Sequence, residues 1–89
     1  MKVQLIERER DYWFKFFVDL NGTEYHATIT LNEKGHFLED KVNYVGTGLE
    51  LEREGSEGDI HEYITDFIDE NWNHLMAGFP LTTTFRLVI

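Results

Sequence analysis

Glu50, Glu52 and Glu54 stand at alternate positions ahead of Gly55. Oxygen ligands spaced by two around a glycine are what a calcium loop requires. On that template the three glutamates take the first, third and fifth positions and Gly55 the sixth. The remainder departs from it: the last position, which needs a bidentate Glu, is His61, and the apolar eighth position is Glu57. A strand pattern also precedes the stretch where a helix should. We read it instead as the end of a strand, a Gly55-Ser56-Glu57-Gly58 turn and the acidic first turn of a helix, with no metal site.

Other chemistry finds little support. The four histidines, His26, His36, His61 and His74, have none of the paired spacings of metal sites and are expected at the surface or rim. The chain contains no cysteine, which removes thiolate nucleophiles, thiolate zinc sites and disulfides together. Its only serine, Ser56, is placed as a helix N-cap. Carboxylates are abundant, but nothing sets two of them in an apolar pocket where their pKa values would separate. The expectation is a protein that is not an enzyme and has no cofactor.

Charge is the stronger signal. Of 17 acids in 89 residues, nine lie between positions 50 and 70: Glu50, Glu52, Glu54, Glu57, Asp59, Glu62, Asp66, Asp69 and Glu70. Arg53 is the one base there, so that segment carries 1 − 9 = −8, while the other residues hold seven bases and eight acids, or −1. One region therefore generates almost the whole field, which argues against direct contact with nucleic acid or an anionic membrane. Glu62, Asp66 and Glu70 are like-charge neighbours four apart, each pair costing a few tenths of a kcal/mol. Asp69 and Glu70 also oppose the dipole in the later half of a helix.

A same-sign face kept at that cost is either a solvated face that keeps the protein soluble or a docking surface for a basic protein partner, and the functional reading takes the second. The expected function is a small acidic binding protein, an inhibitor or antitoxin-like partner that masks a basic, nucleic-acid-binding surface of another protein, as phage and bacterial inhibitors of nucleases do. The alternative is a structural or assembly subunit that oligomerises through its sheet face or edge. An enzyme or small-ligand binder ranks behind both. Absence of cysteine and of an apolar leader or membrane span fits a cytoplasmic protein.

The elements that must position these residues are read from periodicity. A chain of 89 residues with 13 aromatics fits one domain around one core. Asn21-Gly22 suits a two-residue type I′ hairpin turn. If Leu20 faces Thr23, then Val18, Phe16, Phe14 and Tyr12 meet Tyr25, Ala27, Ile29 and Leu31 on one apolar face. The opposite face holds Trp13, Lys15, Phe17 and Asp19 against Thr30, Thr28, His26 and Glu24. There Trp13 and Phe17 form a second candidate interface, for a second copy of the chain or for terminal residues such as Ile6 or Val88.

Val3 to Glu9 reads as a further strand, Glu33-Lys34-Gly35 as a turn, and Val42–Val45 and Leu49–Arg53 as strand segments broken at Gly46 and Gly48. Residues 82–89 are β-branched and suit a sheet edge. From Glu57 to Ala77, the apolar positions Ile60, Tyr63, Ile64, Phe67, Ile68, Trp72, Leu75 and Met76 follow helical spacing. Ser56 as N-cap, Asp59 three residues on and Gly78 as the stop bound that helix. The fold class is α+β: an antiparallel sheet of four to six strands with one long amphipathic helix packed across one face.

Overall fold

The Asn21-Gly22 turn sets the register of the whole sheet. In the computed structural model, which describes residues 1–83, both turn residues have positive φ, 53° and 88°, as a type I′ turn needs. The Asp19 carboxylate accepts the Gly22 N–H at 3.0 Å and holds the corner. It joins β2 (Trp13–Leu20) to β3 (Thr23–Leu31), paired from Leu20↔Thr23 through Phe16↔Ala27 to Trp13↔Thr30, the register that alternation requires. Tyr12 departs from expectation. It lies in the turn after β1 and is 43% exposed, although its carbonyl still accepts the Leu31 N–H at 2.7 Å. The chain bends there through Arg10 at φ 52°, so Tyr12 leaves the core face.

β1 (Lys2–Glu9) pairs with β2 and β4 (Phe37–Tyr44) pairs with β3, all antiparallel. A two-residue β5 (Leu81–Thr82) lies against Lys2 and Val3, giving the order β4-β3-β2-β1-β5. The remainder of the proposed C-terminal strand, Val88 included, falls outside the described residues. β4 begins at Phe37 rather than near Val42. Leu49–Arg53 is no strand: only Glu50 bridges back, to Asn43, while Leu51 enters the core at 2% exposure.

The helix runs in two pieces, α1 (Gly55–Glu70) and α2 (Trp72–Met76), packed on one face of the sheet. The interruption at Asn71 comes from its own side chain, whose amide donates to the Phe67 carbonyl at 2.9 Å while its backbone N–H uses the same oxygen. Such side-chain competition opens a helix without proline. Ser56 is not the N-cap. Glu54 occupies that position with extended backbone and makes no side-chain capping bond, so the Ser56–Asp59 capping pair is not formed and Ser56 sits inside the first turn.

Val3, Phe14, Phe16, Val18, Ile29 and Val42 of the sheet close on Ile64, Ile68 and Leu75, all at 2% exposure or less. Each such side chain contributes about 1.5–3 kcal/mol by burial. Phe67 and Trp72 flank this core and are only part buried, Trp72 standing edge-on to Phe14 at 4.8 Å. The buried row of α1 is His61, Ile64, Thr65 and Ile68, spaced three, four and seven. That row lies slightly to one side of the stripe through Ile60, Tyr63 and Phe67, which the apolar residues alone suggested.

Candidate functional site: the acidic face

Because α1 buries His61, Ile64, Thr65 and Ile68, helical geometry turns Asp59, Glu62, Asp66, Asp69 and Glu70 outward, and all five are exposed. Glu50, Glu52 and Glu54, in the segment leading into the helix, are exposed as well. Eight of the nine predicted acids thus present themselves to solvent. Glu57 is the exception. It is half-buried; its Oε2 accepts the Glu52 N–H at 3.2 Å, and its carboxylate hydrogen-bonds Tyr44. Burial, followed by the Glu57 charge, pushes the Tyr44 phenol above its ordinary pKa. The Tyr25 phenol, its ring tilted against that of Tyr44 with centroids 5.3 Å apart, is raised by burial first and by Tyr44 and Glu57 next. Glu57 therefore acts as a strut between helix and sheet.

The entry of the helix depends on Gly58. A Cβ built there would lie 2.5 Å from the Arg53 carbonyl oxygen and 2.7 Å from its carbon, so no other residue fits without moving backbone. The Arg53 side chain runs to β4, where Nη1 reaches the Asp40 carboxylate at 3.1 Å and Nη2 the Asp40 carbonyl at 2.6 Å. The one base of the acidic segment is thereby committed within the molecule. Among the described residues none of the nine acids forms an ion pair with a Lys, Arg or His.

His61 corrects a second expectation. It is 6% exposed instead of lying at the surface, and its Nε2 has no hydrogen-bond partner, the nearest carboxylate oxygen being Asp40 Oδ1 at 3.9 Å. Sequence carried a signal for this: His61 sits three residues before Ile64 and seven before Ile68, on the helix's most buried row. Thr65 in the same row is satisfied by the His61 carbonyl at 3.0 Å.

Glu50, Glu52 and Glu54 do not converge; among the described residues no three His, Asp or Glu side chains gather as a metal ion would need. An open groove does lie on the acidic face, with Asp66 and Glu70 on its wall beside Tyr63 and Phe67. Carboxylates next to aromatic rings suit the planar guanidinium of an arginine, which takes hydrogen bonds at its edge and ring contact at its face.

On the opposite side of the sheet, Trp13 and Phe17 are half-buried, and Phe17 meets the His26 ring edge-on at 6.4 Å. They lie on the face away from α1 and belong to no common site with the acids. Among the described residues no helix is long and apolar enough to cross a membrane. No protein-family model, curated protein or solved structure matches this chain.

Proposed function

We propose that this protein is a small acidic binding protein that docks through the outer face of α1 and the preceding segment onto the basic, nucleic-acid-binding surface of another protein, and so inhibits it. The observation that carries the reading is the commitment of Arg53 to Asp40. Among the described residues none of the eight exposed acids has an ion-pair partner, which leaves an electrostatic cost that a basic partner relieves. The groove bordered by Asp66, Glu70 and Phe67 gives that partner a place to seat an arginine. In this reading the protein works in the cytoplasm of a bacterium or phage-infected cell, needs no cofactor, and contacts neither nucleic acid nor membrane directly.

Site-resolved photo-crosslinking in native extract tests it. A cross-linker at position 62 or 66 should capture one basic protein, and added duplex DNA or RNA should compete for that capture. The same cross-linker at Glu33, in the β3–β4 turn, should capture nothing in common. Capture of an acidic or neutral protein, or capture indifferent to nucleic acid, would reject the reading.

A further inference from the structure

We propose that the face of the sheet left uncovered by the described residues is an interface between two copies of this chain, packed face to face about a two-fold axis with their helices outward. This goes beyond the docking reading and uses the other side of the molecule.

The pairing registers lay the face out in rows: Gln4-Phe17-His26-Asn43, Glu7-Lys15-Thr28-Lys41 and Glu9-Trp13-Thr30-Glu39. On the two central strands these rows are aromatic or uncharged except for Lys15. Charge collects on the outer strands, where both signs occur, Lys41 pairing Glu39 at 3.2 Å. Lys2, Asp19 and Glu24 close one end. A centre poor in charge inside a mixed polar rim is the zoning of a protein interface. Mixed signs also make the rim self-complementary: Lys2, Lys15 and Lys41 of one copy can meet Glu7, Glu9 and Glu39 of the other.

Among the described residues, the other surfaces suit self-association less well. The helix face would bring five exposed acids, none of them ion-paired among the described residues, against five more. The outer edge of β4 is already occupied: the Val42 carbonyl takes the Leu51 N–H at 2.8 Å, the Tyr44 N–H goes to the Leu49 carbonyl at 2.9 Å, and Arg53 covers the Asp40 carbonyl. The outer edge of β1 is met by β5 at Lys2 and Val3, and further along its ladder to β2 shifts between Leu5 and Glu7, a bulge that blunts an edge for pairing.

Four strands of about eight residues present a face of roughly 27 by 19 Å, about 500 Å² per copy and ~1,000 Å² in all. That is the lower limit for a specific interface, where association is weak and transient, so the dissociation constant is sought on the order of 10–100 µM. The dimer would carry its two acidic faces on opposite sides and so be bivalent toward a repeated basic target.

Sedimentation equilibrium of the full chain from about 5 to ~500 µM reads this without any partner. The expected mass climbs from the 10.6 kDa of one chain toward twice that value. Thr28→Lys sets a third cation between Lys15 and Lys41 while leaving both aromatics in place; it should raise the dissociation constant at least ~10-fold with an unchanged far-UV spectrum, and Phe17→Glu should do the same. Asp66→Lys, on the helix face, should dimerise like the wild type. A wild type that stays at one chain mass throughout overturns the proposal, as does a folded Thr28→Lys variant that associates like the wild type, or an Asp66→Lys variant that does not associate.

Discussion

Gly58→Ala is the sharpest test of how the acidic face is held, because two known effects oppose each other there. Within a helix, alanine is favoured over glycine by about 1 kcal/mol, so propensity alone forecasts stabilisation. The new Cβ would stand 2.5 Å from the Arg53 carbonyl oxygen, whereas ordinary contact begins at 3.4 Å, so the backbone must retreat by the difference, 3.4 − 2.5 = 0.9 Å. A shift of that size at a packed site costs about 1–3 kcal/mol. It also pulls on the Arg53–Asp40 contacts and the Glu52–Glu57 bond. Those are exposed, so roughly 1 kcal/mol more covers their loss. The balance is a net destabilisation of about 1–3 kcal/mol, or a Tm lower by roughly 4–24 °C in a chain of this size. Differential scanning calorimetry measures it directly. A variant as stable as the wild type, or more so, would mean that propensity wins and that α1 does not rest on Arg53 as described.

Ser56→Ala separates the two versions of the helix start: a true N-cap loses about 1 kcal/mol on that change, whereas Ser56 inside the first turn should lose nothing and gain up to ~0.5 kcal/mol in urea melts. Ile64→Ala, at a site with no exposure, should cost about 2–5 kcal/mol, and Phe67→Ala, half-buried, should cost visibly less than the ~3–5 kcal/mol of a fully buried Phe; equal losses would put the buried row elsewhere. His26 has its pKa lowered from 6.5 by burial first and by Lys15 second, with Glu24 opposing. Between that lowered value and 6.5 the unfolded chain binds more protons, so stability should rise with pH across this window, and the His26 share of the slope should vanish above it, where the gain is complete. His26→Gln should remove that part of the slope when urea midpoints are compared between about pH 5 and ~pH 7.5, and an unchanged slope would assign it to other groups.

The parts of the fold that were readable share one property: neighbours in sequence decide them. Asn21-Gly22 and the alternation around it imply the β2–β3 register through every pair from Leu20↔Thr23 to Phe14↔Ile29. Helical spacing places Ile64 and Ile68 inward and Asp59, Glu62, Asp66 and Asp69 outward. What failed depended on a distant partner. Ser56 has every local attribute of a cap, yet the helix begins earlier because Gly58 lets its first turn meet the Arg53 backbone. Leu49–Arg53 is β-like in composition, but its turn through Gly48 leaves only Glu50 in register with Asn43. His61 and Arg53 look like ordinary surface residues until β4 brings Asp40 between them. The acidic face was therefore legible as a charge pattern. The commitment of Arg53 to Asp40 was not, and neither was the inward role of Glu57.

The docking claim is tested most directly by association kinetics between this protein and the basic protein captured through position 62, followed by stopped-flow at about 20 mM and ~200 mM salt. For the wild type, steering by eight exposed acids should make the association rate fall at least ~10-fold between the two conditions. The Glu62→Lys, Asp66→Lys, Asp69→Lys variant should keep its fold, associate at least ~10-fold more slowly at low salt and show a nearly flat salt dependence. A triple variant that matches the wild type in both rate and salt slope would contradict the claim and leave the acidic face as a solvated surface only.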